Sequence, residues 1–495
     1  MKFFTTLSLL FCFSIALAQY TTPGTGVDWT LDDVATASPA TVSVNGNVYT
    51  LSANLTVAAT DILRINTDIT LEIASGVRVT VLEFGSFYIS ADQVLVTAVD
   101  EASPYDGFRF EEGSDIDIQN TTFQFGGGIQ VLTETFTLNN CILQNNVSGV
   151  ATGGTVALSR GMPVITNNQF LFNANPAISS AATNQVSAYI FNNYIEGNNQ
   201  SNQNRPQINM AVTRPTDTLK IIGNTIIGDR NMTMAGGIAI ANFVGGTASV
   251  YAIIENNTII DNRFGIALLG NNNYVEVKNN IIEDNNSQND PMQGGSGINF
   301  LSNSGDQNVI LSENKIRRNL WGVTIQQPNP GSSNINFGDD QDNPGLNVFS
   351  ENGNNGEIFA LYNNGPNTIL AKNNCWVEDG EGTLAEAEEV IFHIEDDPTL
   401  GEVIFDPIFC EPLAGIEDNL LLDFNFYPNP AKNQISFKNE NNFETITFYN
   451  VNGQKVFTQD VIQGANTINF NLNAGIYFIA FDGESNQIVK KIVVK

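Results

Sequence analysis

Cations, histidine, cysteine and long apolar runs are all scarce in this chain, and each shortage excludes something. Its 495 residues hold 21 lysines and arginines against 52 aspartates and glutamates, for a net charge of −31. A surface this poor in cations does not neutralise a phosphate backbone, so no nucleic-acid partner is expected. His393 is the lone histidine, so a histidine-based catalytic centre would have to work without a second imidazole. No Cys-x-x-Cys pair and no Cys/His cluster occurs, which removes the usual zinc sites. After the first twenty positions no apolar run reaches about 18 residues, so no helical membrane span is expected in the mature chain.

Asparagine, by contrast, is abundant at 67 residues, with 42 glycines beside it. Both residue types tolerate left-handed backbone and tight, side-chain-bonded turns, so many sharp corners are expected.

The N-terminus opens with Met1-Lys2, an apolar stretch from Phe3 to Leu17 and the small residues of Ala16-Leu17-Ala18. That order reads as a secretory signal peptide over residues 1–18, cut after Ala18. Cys12 leaves with it. Cys141, Cys375 and Cys410 remain, and three thiols cannot all pair within one molecule. Cys375 and Cys410 flank one acidic segment and form the candidate disulfide of an exported chain; the alternative is three buried apolar thiols.

Charge then divides the chain. Residues 1–18 and residues 424–495 each carry +1, which leaves −33 on everything between. Pro412-Leu413-Ala414-Gly415 opens a linker over 413–423, and the last segment alternates in short runs: Gln434–Phe437, Thr445–Asn450, Lys455–Gln459, Thr467–Asn471, Gly475–Phe481 and Ile488–Val494. Turns such as Asn452-Gly453 and Asp482-Gly483 separate them, which predicts a small Ig-like β-sandwich. Four ordered motifs lie here: Tyr427-Pro428-Asn429-Pro430, Tyr449 to Val456, Leu472 to Tyr477, and the terminal Lys490 to Lys495. They resemble the type A C-terminal sorting domain of the type IX secretion system. The resemblance implies export by a Bacteroidetes-type Gram-negative bacterium. It also implies that the secretion machinery and a sortase are partners through residues 424–495. The destination would be the outer-membrane surface or the medium.

Ahead of that module the sequence repeats. Asn139-Asn140-Cys141-Ile142, Asn167-Asn168-Gln169-Phe170, Asn192-Asn193-Tyr194-Ile195, Asn256-Asn257-Thr258-Ile259 and Asn279-Asn280-Ile281-Ile282 share one pattern. Copies at Asn224, Asn314, Asn347 and Asn374 extend it, and the second residues are spaced by 28, 25, 31, 33, 23, 34, 33 and 27. Three residues past each apolar anchor comes a second polar position: Asn145, Asn173, Asn198, Asp229, Asn262, Asn285, Asn319 and Asn352. Short strands beginning with glycine follow, at Gly237, Gly265, Gly297 and Gly322. Two or three short strands per turn, joined by asparagine corners, describe a parallel β-helix whose asparagines stack. The expected fold is all-β: a parallel β-helix over residues 19–412, then the sandwich. Val42–Leu51 reads as one strand. Residues 20–40 and 377–412 read as end covers, with a short helix over Thr383–Glu389. The pattern is similar to the right-handed parallel β-helix proteins of the pectin-lyase-like superfamily. That resemblance implies a fold and leaves activity open among lyases, hydrolases, epimerases, adhesins and non-catalytic proteins.

Chemistry is harder to find. Asn66-Thr67-Asp68 and Gly338-Asp339-Asp340 look like pieces of a polygalacturonase-type site, but they stand far apart and no His-Gly follows. Charged residues cluster after the asparagine anchors: Arg230, Asp261, Arg263, Glu283, Asp284, Arg317 and Arg318. Stacking the turns puts Glu283 over Arg317 and Asp284 over Arg318, on a face expected to be exposed. This is either an ion-pair ladder or a groove for polysaccharide. Asp339, Asp340 and Asp342 form a candidate calcium loop, with Glu395-Asp396-Asp397 as a second acidic loop; the alternative is solvated acid. Tyr105, Trp321 and Trp376 are candidate sugar-stacking rings or core residues. The functional expectation is a surface or secreted protein that binds extracellular polysaccharide or another surface partner. The alternative is a polysaccharide lyase or glycoside hydrolase.

Overall fold

The computed structural model describes residues 19–290, 294–302, 306–327, 333–354, 356–410, 426–439, 443–450, 454–483 and 487–495. The expected signal peptide, the linker over 413–423 and the Asn452-Gly453 turn lie outside them. Contacts divide the chain into two units, Met1–Cys410 and Glu411–Lys495.

The first unit is a parallel β-helix. Successive turns feed three sheets of 14, 13 and 14 strands, in which each strand pairs with its counterparts from the turns before and after. One turn runs from Asn273–Lys278 in the first sheet, through Ile281–Glu283 in the second, to Ser296–Leu301 in the third. Inward side chains stack into columns. Ile226, Ile259, Ile282, Ile316 and Phe349 follow one another in register and are fully buried. Dispersion and the hydrophobic effect along such columns hold the cylinder together.

The asparagine pairs make the corner between the first and second sheets. The first member adopts left-handed backbone, with φ of 58° at Asn167, 54° at Asn192, 57° at Asn256 and 53° at Asn279. Asparagine tolerates that region better than other side chains with a Cβ. The second member turns inward and joins a ladder. Nδ2 of Asn168, Asn193, Asn224, Asn257, Asn280, Asn314 and Asn347 each donates to Oδ1 of the next, over 2.8–3.0 Å. The same Nδ2 also reaches back to a carbonyl of the preceding turn, as Asn280 does to Ile254 O at 2.9 Å. Each Oδ1 accepts a backbone N–H as well, as Asn314 does from Asn280 N at 3.0 Å. Buried amides are tolerable here because both ends are saturated.

A second ladder runs at the next corner through Asn146, Asn173 and Asn198, then Gln207, then Asn262, Asn285, Asn319 and Asn352. Beside it, a Cβ at Gly297 would lie 2.8 Å from Ile316 Cγ2 and 2.9 Å from Asn319 Nδ2. The ladder amide occupies the space that any larger residue would need.

Three expectations are corrected. The copy at Asn139-Asn140 is out of step by one. Ile142 pairs with Gln169, so Leu143 is the inward anchor and Cys141 takes the ladder position. The same slip moves the second-ladder position from Asn145 to Asn146. Asp229 is not in the ladder. Gln207 stands there instead, because an ionised carboxylate has no N–H to pass the chain onward, whereas the Gln207 amide accepts from Asn198 at 3.1 Å and donates to Asn262 at 3.0 Å. Val42–Leu51 is a hairpin, Val42–Asn45 against Val48–Leu51, turning at Gly46 with φ of 64°.

Both ends are covered. At the start, helix Leu31–Ala37 is capped by Thr30 and buries Leu31 and Val34. Asp61, fully buried, accepts from the N–H groups of Gly24, Thr25, Gly26 and Val27 over 2.8–3.1 Å. Burial raises its pKa, but the hydrogen bonds from Thr22 and the Val27, Gly24 and Thr25 amides prevail and hold the carboxyl below its ordinary value. At the far end, helix Leu384–Val390 carries a capping box between Thr383 and Glu386. Cys375 and Cys410 are joined by a disulfide, with Cα atoms 4.5 Å apart, and Cys141 is a buried free thiol. Among the described residues no helix is long and apolar enough to cross a membrane.

The second unit, by itself, is an antiparallel sandwich. Phe426–Tyr427, Gln434–Asn439 and Gly464–Asn469 make one sheet; Lys455–Asp460, Phe443–Asn450, Gly475–Gly483 and Gln487–Val494 make the other. Ile435, Phe437, Ile446, Phe448, Ile479 and Phe481 fill its core. The strand expected at Thr467–Asn471 begins earlier, at Gly464, because it pairs along the whole of Gln434–Asn439.

Candidate functional site

The charge cluster is mostly a closed ladder. Glu283 and Arg317 are register partners and both are buried, against the expectation of an exposed face. Arg317 donates to Glu283 at 2.9 Å and to both oxygens of Glu378 at 2.7 and 2.6 Å. Burial opposes its charge, but the hydrogen bonds to Glu378 and Glu283 outweigh it and hold the guanidinium above its ordinary pKa. Arg318 spans Asp284 at 3.0 Å and Glu283 at 2.7 Å. Asp261, Asp284 and Arg318 occupy the left-handed corner positions, φ 60°, 55° and 51°, that precede the second asparagine ladder. Arg230, the most open member, bridges Asp261 and Asn286, each at 2.6 Å. These groups serve one another.

The acidic loops are likewise internal. Asp339 Oδ1 accepts from the N–H groups of Gln341, Asp342 and Asn343 at 2.8–3.0 Å. Those amide bonds lower its pKa to about 2. Asp340 pairs with Lys372, and Asp342 is exposed. Asp397 caps Thr399 in the second loop. His393 Nδ1 accepts from Val403 N at 3.0 Å, and its Nε2 lies 3.1 Å from Glu388. Among the described residues no three metal-ligating side chains come together.

A different surface has the shape of a site: the outer face of the third sheet. Its strands place Asn209, Ala239, Ala267, Asn299, Thr324, Tyr362 and Phe392 in one register column. The two alanines keep the floor low, and Asn204, Arg263 and Phe264 stand beside it. The hollow measures about 380 Å³ and adjoins a second, of about 490 Å³, through Leu301 and Gln326; the second reaches Asn364 and Thr399. From Arg205–Met210 to Leu361–Asn364 the face crosses six neighbouring strands, a span of ~24 Å at ordinary strand spacing.

Arg263 is the one residue of the expected cluster that belongs to this groove. It is 7% exposed and donates to Asn204 and Gln288. Burial lowers its pKa and the charge of Asp290 opposes that shift. Asn299 Oδ1 is buried and has no hydrogen-bond partner. Among the described residues no carboxylate lines either hollow.

Up the same face the rings stack. Trp321 lies on Tyr362 at 4.8 Å and 12°, and Tyr362 on Phe392 at 4.6 Å and 4°, with all three half-exposed. Trp376 is buried against Phe349 at 4.7 Å, and Tyr105 is buried too. Of the three candidate sugar-stacking rings, Trp321 alone faces outward. Asn204, Asn209, Phe264, Asn299 and Gln326 escaped the sequence analysis. The signal was present in Gly237-Ile238-Ala239, Gly265-Ile266-Ala267 and Gly297-Ile298-Asn299: the third residue is always small or an amide, never charged.

Among curated proteins none matches the chain in sequence. Two solved structures resemble it in course. One is a mutant of the periplasmic alginate epimerase AlgG, with TM-score 0.44, 13% identity, 70% of this chain and 83% of that one covered. The other is tailspike protein gp49 of Acinetobacter baumannii bacteriophage Fri1, a capsular polysaccharide depolymerase, with TM-score 0.30, 10% identity, 96% of this chain and 78% of that one covered. The sheet registers themselves establish the β-helix. Residues 425–495 match the secretion-system C-terminal sorting domain family, so the chain is a β-helix passenger followed by the sorting tail that directs its export.

Proposed function

We propose that the passenger is a non-catalytic polysaccharide-binding protein, and that it binds along the outer face of the third sheet. One observation carries this reading: an elongated groove with an amide and alanine floor, a ring stack on neighbouring strands of the same face, and no carboxylate among the described residues that line it, in a chain with 52 acidic residues. Glycoside hydrolysis takes a pair of carboxyl groups flanking the bond, and elimination takes a positioned base. The groove lining offers neither, whereas side-chain amides and an aromatic face are what sugar hydroxyls and rings use for recognition. The sorting domain engages the secretion machinery and is removed by a sortase, which leaves the passenger on the outer-membrane surface or free in the medium.

Affinity electrophoresis of the mature chain through gels containing polysaccharides tests the binding. Retardation that weakens in Asn209→Ala and Gln326→Ala is expected. Assays for reducing ends and for unsaturated products absorbing at 235 nm should stay blank. Turnover with a retarding polymer would replace this reading with an enzymatic one. The search for its acid and base would then move to the hollow around His393, where Glu388, Glu402 and Asp406 meet.

A further inference from the structure

The groove says more about its occupant than that it is a polysaccharide. Building on the reading above, we infer that the groove takes an uncharged, hydroxyl-rich glycan rather than a polyuronate or a sulfated polymer. Three observations point the same way. The first is the lining itself. Among the described lining residues Arg263 alone is charged, and its guanidinium is already engaged by Asn204 and Gln288 and balanced by Asp290. A polyanion entering the groove would lose water from each of its charges and gain no free cation in return, and an unpaired charge moved out of water is costly.

The second is the orphaned atom. Asn299 Oδ1 sits buried in the groove without a donor, and a buried acceptor left unmatched is a standing cost. A carboxylate or a sulfate brings only acceptors to that position, so the group that matches it is a hydroxyl, of which an uncharged glycan presents the most. A hydroxyl brings an O–H, and it satisfies the amide in either orientation of its oxygen and nitrogen. Asn209 and Gln326, half-exposed on either side along the same face, extend this amide row.

The third is the field. The β-helix, its covers and the linker carry −33 between residues 19 and 423, so a negatively charged chain approaches against the summed potential of the body. An uncharged chain feels none of that opposition.

The test uses the full mature chain in affinity electrophoresis against laminarin, mannan and xylan as neutral probes, alginate as a polyuronate and carrageenan as a sulfated probe. At least one neutral polymer is expected to retard the protein equally at about 50 and about 500 mM salt, because no charge pair contributes to be screened. Asn299→Ala is expected to weaken that retardation about tenfold, as the loss of one buried hydrogen bond does. Gln326→Ala, on the half-exposed rim, reports on the same groove if the first variant does not fold. Retardation by alginate or carrageenan alone, weakened by these variants, would overturn the uncharged class and leave the groove standing. Retardation that neither variant changes would overturn the groove reading and the ligand class with it.

Discussion

The early and the middle turns of the β-helix solve one problem in two ways. From Ile62–Ile65 to Ile69–Ile73, and from Ser86–Ile89 to Val94–Ala98, the corner between the first two sheets takes three or four residues. Those corner residues are exposed apart from Ala91, so water satisfies their polar groups. From the corner between Val164–Thr166 and Gln169–Leu171 to the one between Gln307–Ser312 and Lys315–Arg317, the corner takes two residues, one left-handed and one buried. A corner that tight excludes water, so its backbone needs an internal partner, and the asparagine ladder supplies it. Across these turns the buried asparagine goes with the two-residue corner. Cys141 marks the boundary: its N–H enters the ladder at Asn168, while its thiol faces Ile118 O, the carbonyl a ladder Nδ2 would reach.

The largest expected effect breaks the ladder in its middle. Asn280→Leu would strip Asn257 N and Nδ2 of their acceptor, and Asn314 Oδ1 and Ile254 O of a donor. Several buried polar groups left unmatched together cost on the order of 4 kcal/mol. Asp68→Ala, which removes the 2.8 Å bond to Gln93 N in an open early corner, should cost less than about 1 kcal/mol. Denaturant midpoints of the two variants compare them directly, and equal losses would abolish the distinction between open and laddered corners. Next comes the far cover. Replacing Cys375 and Cys410 by serine opens a loop of 35 residues in sequence separation and should cost about 3 kcal/mol. Because a solenoid's turns contact mainly their neighbours, faster amide exchange should appear near residues 376–410 before it reaches the early turns. A smaller gain is expected from Cys141→Asn. The new Nδ2 would reach Ile118 O and extend the ladder by one rung, raising stability by about 1 kcal/mol; a fall in melting temperature would show that the boundary is set by packing instead.

The repeat unit, the sandwich and the short helix after Thr383 were legible because each rests on local signals: asparagine pairs, glycine after the second corner, a Thr-x-x-Glu cap at Thr383. The register of the first repeat was not. Asn139-Asn140 offers two ways to align, and only the inward packing of Leu143 chooses between them. The Gln207 rung was equally hidden, since it comes from a strand of the third sheet rather than from the corner where an amide was sought. The groove was the least visible feature. Charged residues attract attention in a sequence, yet here they pair with one another, and the open surface is made of alanines and amides separated by 25 to 35 positions. Stacking brings them together, and stacking is what a linear reading sees last.

The smallest effect separates the two regions by chemistry rather than by magnitude. The start of the chain is pinned by a carboxylate, since Asp61 accepts four backbone N–H groups; the middle turns are pinned by amides, which do not titrate. In the fold Asp61 is held below its ordinary pKa, so the unfolded chain binds a proton there first as pH falls. Its contribution is therefore complete above the unfolded value of about 4 and fades as pH drops through the lower folded value. Protection factors at Gly24, Thr25, Gly26 and Val27 should fall as the pH drops below about 4, while those at Asn193, Asn257 and Asn280 hold steady. Asp61→Asn should remove the pH dependence at the first set and leave the second untouched. Parallel loss at both sets would mean that acid acts on the cylinder as a whole through its net negative charge rather than on the one carboxylate that ties its first turn.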